Sequence, residues 1–245
     1  MNKIHLSVII PVYNEEKRLS STLLNIDKYL SEQEYDYEII VVNDGSKDNT
    51  AKIVKKFSYL IKNLKLIDNR KNHGKGWVVR QAMLESEGKI RLFMDADNAT
   101  TIEHFEKMIP FFKKGYQVVI GSRDRKDAKG AKQAVPQSFF KRQLGNLGNL
   151  LIQIVAVPGI WDTQCGFKAF TRKAAENIFS RAKIDRWGFD IEALFLARKL
   201  GLKIGIIPVI WVNAPDSKVN LKGYLNTFKE LFVVRLNSIR GKYKL

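Results

Sequence analysis

The feature that most limits how this chain can fold is the alternation of apolar runs and helix-like patterns up to Met94. Apolar runs of strand length stand at 6–12, 37–44, 64–67 and 90–94, and each ends at a polar turn. A helical pattern lies in each interval between them. The first opens at 14–16 and runs to about 30, the second opens at 49–50, and the third runs to about 86. This order predicts an α/β fold with a mostly parallel central sheet flanked by helices.

The fourth apolar run leads directly into two carboxylates that stand one residue apart, Asp95 and Asp97. Side chains alternate along an extended strand, so both carboxylates face the same way if the extension continues. Two hard oxygen ligands at the end of a strand suit Mg²⁺ or Mn²⁺, especially where substrate phosphates complete the coordination. The alternative is a polar turn that caps the next helix, a role that Thr100 or Thr101 could also fill.

Polar residues follow three of the predicted strands, at 11–15, 43–46 and 95–97. Ligands of parallel α/β sheets bind at the carboxyl ends of the strands, so the three turns predict one shared site. The first turn has no Gly-x-Gly-x-x-Gly, and the sequence contains no Gly-x-x-x-x-Gly-Lys-Ser/Thr. A dinucleotide-binding fold and a P-loop enzyme are therefore disfavoured.

The second half of the chain has a less regular pattern. A strand at 116–123 precedes a polar, basic stretch from Arg123 to Arg142, which we interpret as a loop leading into a helix near Ser138. Residues 144–157 are apolar and predict a helix that is too short to span a bilayer, so it belongs either to the core or to a membrane interface. A turn and strand at 162–170, a helix from about 171, a helix through 200 and a strand at 203–209 follow.

The formal net charge of +17 over 245 residues points to a polyanionic partner: nucleic acid, a phosphorylated ligand or an anionic membrane. The cations cluster at 123–142 and in the tail without the pattern of a nucleic-acid module, so we expect no nucleic-acid partner. The tail from 222 to 245 predicts an amphipathic helix that either packs on the domain or lies on anionic lipid. The lone Cys165 and the absence of a signal-peptide pattern predict a cytoplasmic protein, peripherally associated with a membrane.

Several of these stretches resemble glycosyltransferase family 2, whose fold is called GT-A. They are residues 7–15 (Ser-Val-Ile-Ile-Pro-Val-Tyr-Asn-Glu), 41–46 (Val-Val-Asn-Asp-Gly-Ser) and 95–97 (Asp-Ala-Asp). Residues 119–123, 162–168 (Asp-Thr-Gln-Cys-Gly-Phe-Lys), 186–192 and 217–218 are similar to the branch that contains the dolichyl-phosphate β-glucosyltransferases. The resemblance implies a GT-A catalytic domain over 1–215, with a nucleotide-binding half to about 100 and an acceptor-binding half from about 101. A basic C-terminal helix over 216–245, available for membrane contact, completes the chain.

The resemblance also implies a role for each matching residue. The residues that would bind a nucleotide sugar are Pro11, Tyr13, Asn14, Glu15, Asp44, Gly45, Lys75, Asp95, Ala96 and Asp97. Asp95 and Asp97 would hold the metal, and catalysis would involve Asp97, Arg123, Arg142 and Asp162. The acceptor would meet Arg123, Arg142, Gln164, Trp187, Asp190 and Lys218.

What the resemblance implies as a reaction is inverting transfer of a sugar from a metal-bound nucleotide sugar to a polyprenyl phosphate of the dolichyl type. Asn43 replaces the first Asp of the common Asp-Asp-Gly-Ser turn, and Ala99 stands where relatives that use mannose often carry a metal-contacting Gln. The second departure favours glucose, and hence UDP-glucose. GDP-mannose as donor, and a saccharide or protein hydroxyl as acceptor, stay open.

The need for a general base also stays open. A lipid phosphate is already anionic near neutral pH and needs no strong base to attack the sugar. Asp162, Asp190 and Glu192 could still orient an acceptor or accept its proton. The structural alternatives are a turn cap for Asp162 and salt bridges with Arg186 or Arg172 for the other two.

Overall fold

The computed structural model describes residues 4–133, 139–212 and 221–245. Its strands are β1 Leu6–Val12, β2 Tyr37–Asp44, β3 Leu64–Asn69, β4 Ile90–Met94, β5 Val118–Ser122, β6 Lys132–Gln133, β7 Phe167–Thr171, β8 Ile204–Pro208 and β9 Ile210–Trp211. Its α-helices are α1 Leu19–Ser31, α2 Thr50–Phe57, α3 Lys75–Glu85, α4 Ile109–Lys113, α5 Phe139–Val155, α6 Arg172–Phe179, α7 Phe189–Lys199 and α8 Leu221–Ile239. A 3-10 helix spans Ile102–Lys107.

Seven strands form the central sheet in the order β3-β2-β1-β4-β7-β5-β8. Every neighbouring pair is parallel except the two that involve β7, which runs antiparallel to both β4 and β5. The predicted mostly parallel sheet is thus confirmed. The chain leaves β1 toward β2 on one side and returns to β4 on the other, so a crevice opens between the ends of β1 and β4.

Hydrophobic cores lie on both faces of this sheet, and alternation along β1 shows how they arise. Ile9 faces the core under α3, α6 and α7, whereas Val8 and Ile10 face the core under α1 and the 3-10 helix. All three are fully buried, and each such side chain stabilises the fold by roughly 1.5–3 kcal/mol. A strand that is apolar on both faces cannot be an exposed edge, so β1 occupies the middle of the sheet.

The first helix begins later than the predicted start at 14–16. Asn14 has φ 54°, and α1 begins only at Leu19. The amides of Asn14 and Glu15 donate to the hydroxyls of Ser46 (2.9 Å) and Thr50 (2.8 Å). Because these tertiary bonds hold the backbone in a turn, the polar residues after β1 face the neighbouring turn and do not enter the helix.

Helix α8 lies against the domain and ends before the chain does. Leu231 and Val234 are fully buried, while Phe232, Leu236 and Ile239 are between 47% and 73% exposed. The helix stops at Ile239, short of the predicted 245, because the chain turns back at Gly241–Tyr243 and buries the Tyr243 ring. Among the described residues, no helix is both long and apolar enough to cross a bilayer.

Candidate active site

A cavity of about 370 Å³ opens at the carboxyl ends of β1 and β4. Its walls come from the turn after β1, the end of β2, the start of α3, the acidic turn after β4, and the segment before α7. The lining residues are Pro11, Val12, Tyr13, Glu15, Arg18, Asp44, Asn72, Gly74, Lys75, Val78, Asp95, Ala96, Asp97, Arg186 and Trp187. The three turns predicted from the sequence to share one site therefore do share it.

Asp95 is held on one side of this cavity by Lys75 and by the 162–166 turn. The Lys75 Nζ lies 2.5 Å from Asp95 Oδ1, and the Asp95 amide donates to the Gly166 carbonyl at 3.0 Å. A Cβ on Gly166 would stand 1.9 Å from Asp95 Oδ2, so only glycine lets the carboxylate approach this turn. Burial alone would lower the pKa of Lys75, but Asp95 and then Asp190 outweigh it and raise that pKa.

Asp97 occupies a different electrostatic position. Its Oδ1 accepts the Ala99 amide at 3.0 Å, and Asn98 turns the backbone with φ 54°. Burial, reinforced by the nearby Asp95 charge, raises the pKa of Asp97 above its ordinary value. A cation beside Asp97 would relieve this cost of holding two carboxylates together.

The donor atoms at this point fit a divalent cation of the Mg²⁺ or Mn²⁺ type. Asp95 and Asp97 offer hard carboxylate oxygens on one cavity wall, and the described residues contain no group of three or more His, Cys, Asp or Glu side chains for a metal. Such a pair suits an ion whose other ligands are substrate phosphates and water. The set does not suit zinc, which prefers nitrogen and sulfur ligands.

At the other end of the cavity, Asp44 organises the loop that precedes α3. Its Oδ1 accepts the His73 amide at 2.7 Å, and its Oδ2 accepts the Gly74 amide (3.0 Å) and the Asn72 side chain (2.9 Å). Burial raises the pKa of Asp44, and the bonds from the His73 and Gly74 amides partly offset that rise. Asp44 therefore shapes the wall from which Lys75 reaches Asp95, besides facing the cavity itself.

Pro11, Tyr13 and Glu15 line the cavity, but two predicted neighbours do not. Asn14 accepts the Lys47 amide at 2.8 Å and so ties the first turn to the second. Gly45 has φ 69°, and a Cβ there would meet the Lys71 backbone at 2.6 Å. The structure gives Asn14 and Gly45 roles in joining the turns.

In the half predicted to bind the acceptor, the half-buried Arg123 pairs with the buried Asp162. Asp162 Oδ2 accepts both the Arg123 amide and Nε, and its Oδ1 accepts a terminal guanidinium nitrogen, all at 2.8 Å. Burial would raise the pKa of Asp162, but the guanidinium holds it below its ordinary value. The Arg123 guanidinium also lies 5.5 Å from the Trp211 ring centre.

The structure describes only some of the other residues predicted to bind the acceptor. Trp187 lines the cavity, and Gln164 is half-buried in the turn before β7. Arg142 belongs to α5, but its side chain lies outside the described part of the chain, as does the whole of Lys218.

Comparison with known proteins agrees with this geometry. The family model described as glycosyl transferase family 2 matches residues 7–179, which include all three cavity turns and Arg123, Asp162 and Lys168. The chain belongs to glycosyltransferase family 2. It is therefore an enzyme of the transferase class, as the sequence motifs predicted.

Two curated relatives of this glycosyltransferase carry the same description. A dolichyl-phosphate beta-glucosyltransferase of Dictyostelium discoideum is 37% identical over 100% of this chain and 78% of its own. The Homo sapiens protein of that name is 35% identical over 98% of this chain and 78% of its own. The predicted relationship to this branch of the family is confirmed.

Solved structures share the fold. Glucosyl-3-phosphoglycerate synthase from Mycobacterium tuberculosis, in complex with UDP, gives a TM-score of 0.68 at 16% identity, over 95% of this chain and 80% of its own. The mannosyltransferase PcManGT from Pyrobaculum calidifontis, in complex with GDP-Man and Mn²⁺, gives a TM-score of 0.60 at 20% identity, over 98% of this chain and 65% of its own. The predicted GT-A fold is confirmed.

Two acidic residues of this glycosyltransferase have partners that sequence reasoning did not find. Asp190 pairs with Lys168 at 2.6 Å, and both side chains are at least nine-tenths buried. Glu192 accepts the amides of Lys183 and Ile184 and the Tyr243 hydroxyl. The predicted salt bridges of these two acids with Arg186 or Arg172 are wrong, because the fold places these other donors against both carboxylates.

Sequence reasoning also missed cavity residues. Arg18 lines the cavity and forms an ion pair with Glu15, and Asn72 and Arg186 contribute to the walls. The pattern around Arg18 predicts only a helix, so nothing in the local sequence indicated that this residue faces a site. Lys168 belongs to the 162–168 motif, but only the fold brings its ammonium against Asp190.

Proposed function

We propose that this enzyme transfers glucose from UDP-glucose to a polyprenyl phosphate of the dolichyl type, with inversion at the anomeric carbon. The observation that carries the proposal is the cavity that Asp44, Lys75, Asp95 and Asp97 line together, in a chain whose relatives are dolichyl-phosphate beta-glucosyltransferases. The predicted product is a β-linked polyprenyl-phosphate glucose.

The donor lies along this cavity in our proposal. Pro11, Tyr13, Glu15 and Asp44 hold the base and ribose, and Asp97 with Asp95 would hold Mg²⁺ or Mn²⁺. The ion, when bound, stabilises negative charge on the departing diphosphate. Lys75 adds a fixed ammonium on the same side, since its raised pKa keeps it charged near neutral pH.

Transfer requires a new bond between an acceptor phosphate oxygen and the anomeric carbon, while the bond from that carbon to the UDP oxygen breaks. The acceptor oxygen already carries negative charge, so no proton has to leave it. Arg123, which Asp162 holds in one orientation, is the guanidinium that we assign to the acceptor phosphate. In this assignment Asp162 positions Arg123 and accepts no proton.

The acceptor is a lipid, and α8 supplies a surface for the membrane that holds it. Phe232, Leu236 and Ile239 are exposed on this helix, and Arg235 and Arg240 stand beside them. Such a face suits the interface of an anionic membrane. We place the enzyme on the cytoplasmic face, where it associates peripherally.

The proposal is tested by incubating the purified protein with radiolabelled UDP-glucose or GDP-mannose, dolichyl or undecaprenyl phosphate, and Mg²⁺ or Mn²⁺. We expect lipid-extractable label with UDP-glucose and either metal, and none with EDTA. Lipid label that appears with GDP-mannose and not with UDP-glucose would show that the donor is GDP-mannose. Label on a saccharide or protein hydroxyl, with none in lipid, would refute the polyprenyl-phosphate acceptor.

A further inference from the structure

One wall of the donor cavity is a short segment before α7, residues 183–188, which we call the α7 loop. It carries Arg186 and Trp187 into the cavity. The Trp187 ring centre lies 5.3 Å from Lys75 Nζ, the same ammonium that contacts Asp95. A shift of this loop would therefore move a cavity wall and the surroundings of Lys75 together.

The start of α3 holds the α7 loop from one side. The Trp77 amide donates to the Asp185 carbonyl at 3.0 Å, and Arg80 pairs with the Asp185 carboxylate at 2.6 Å. A Cβ on Gly74 would stand 2.4 Å from the Asp185 carbonyl, and one on Gly76 would stand 2.6 Å from the Ile184 carbonyl. The two backbones are thus in direct contact along this side.

The C-terminal segment holds the same loop from the other side. Glu230 of α8 accepts the Gly188 amide at 2.7 Å, where the loop meets α7. A Cβ on Gly188 would lie 2.7 Å from the Glu230 Cβ, so glycine is what allows this approach. The carboxylate also stands at the positive end of the α7 dipole, which strengthens the contact.

A second attachment runs through Glu192. This carboxylate is fully buried and accepts the Lys183 amide at 2.9 Å and the Ile184 amide at 2.9 Å. The Tyr243 hydroxyl donates to its Oε1 at 2.8 Å, and the Tyr243 ring is 1% exposed. Tyr243 therefore supplies a hydroxyl donor to the carboxylate that also accepts the first two amides of the loop.

We propose that Glu230 and Tyr243 are positioning residues for the donor site, acting through the α7 loop on Trp187 and Arg186. The inference rests on the proposed function only in taking this cavity as the nucleotide-sugar site. The family match ends at residue 179, so the α7 loop and its two attachments lie beyond the matched region. The C-terminal segment thereby becomes part of donor binding, and not only a surface of the protein.

The test compares three variants with a matched control. Glu230→Ala removes the acceptor for the Gly188 amide, Glu230→Gln keeps a carbonyl acceptor, and Tyr243→Phe removes only the hydroxyl. Glu85→Ala removes an exposed glutamate at the far end of α3. UDP affinity is measured by calorimetry with Mn²⁺, and KM for UDP-glucose and kcat are measured by lipid-extractable label.

We expect Glu230→Ala and Tyr243→Phe each to weaken UDP binding about ten-fold, the size of one well-formed hydrogen bond to a charged group. KM for UDP-glucose should rise in parallel, with KM for the lipid acceptor unchanged. Glu230→Gln should recover most of the affinity, and Glu85→Ala should match the wild type.

A lower melting temperature with unchanged UDP affinity and KM would overturn the inference, because it would show a structural role alone. The outcome is separable from that of the proposed function. A wild-type protein that binds UDP but labels no lipid would refute the acceptor, and the effect of Glu230→Ala on UDP affinity would still decide the positioning role.

Discussion

Replacing Asp162 with Asn removes one charge from a buried pair while keeping the shape of the side chain. Asp162 accepts three bonds from Arg123, and the side chains of Asp162 and Arg123 are 8% and 23% exposed. Breaking a buried pair costs about 3–5 kcal/mol, and the partial exposure of Arg123 reduces the expected loss to about 3 kcal/mol. For a chain of this size, that loss lowers the melting temperature by roughly 6–12 °C.

The assay is thermal and urea unfolding of the wild type, Asp162→Asn, Arg123→Met and the double variant. We expect the double variant to be more stable than the sum of the single losses predicts, because no uncompensated charge is left inside. Arg123 holds the pKa of Asp162 below its ordinary value, so its stabilising effect is present above about pH 4 and is lost as pH falls further. The difference between the wild type and Asp162→Asn should then be constant from pH 5 to about 8.

A melting temperature for Asp162→Asn within about 1 °C of the wild type would refute the assignment of a stabilising buried pair. Additive losses in the double variant would refute the coupling between the two residues. The same variant also separates two acceptor chemistries. Complete loss of transfer to a hydroxyl acceptor, with full retention of folding, would indicate a general base in place of a positioning residue.

Four further outcomes are expected. Gly166→Ala should abolish metal-dependent UDP binding, measured by calorimetry, because its Cβ would stand 1.9 Å from an Asp95 oxygen and displace that carboxylate. Cys165 should resist iodoacetamide at pH 8 in the native protein and react after denaturation, because burial raises its pKa to about 12 from 9.0. The same shift lowers stability as pH rises from about 9 to 12, since the unfolded thiol ionises first. Lys168→Met should lower the melting temperature by roughly 6–20 °C, because it leaves the Asp190 carboxylate buried without its ammonium partner.

Much of the cavity could be predicted from local sequence. Pro11 and Asp44 lie at the carboxyl ends of buried strands, and Tyr13 and Asp97 follow such strands. The ends of parallel strands meet at one edge of a sheet. The strand runs and turn residues that place them are local patterns. Asn14 and Gly45 were assigned to the donor for the same reason, although their backbone conformations show that they join the turns.

The sequence by itself determined the α/β alternation, the parallel sheet and the edge at which Asp95 and Asp97 lie, because period and turn chemistry act within a few residues. Only the tertiary structure decided which charges meet. Arg123 pairs with Asp162, which lies 39 residues away in the sequence, and Lys168 pairs with Asp190, which lies 22 residues away. A buried ion pair forms between whichever opposite charges the packing of distant elements brings within about 3 Å, and no local pattern specifies that packing.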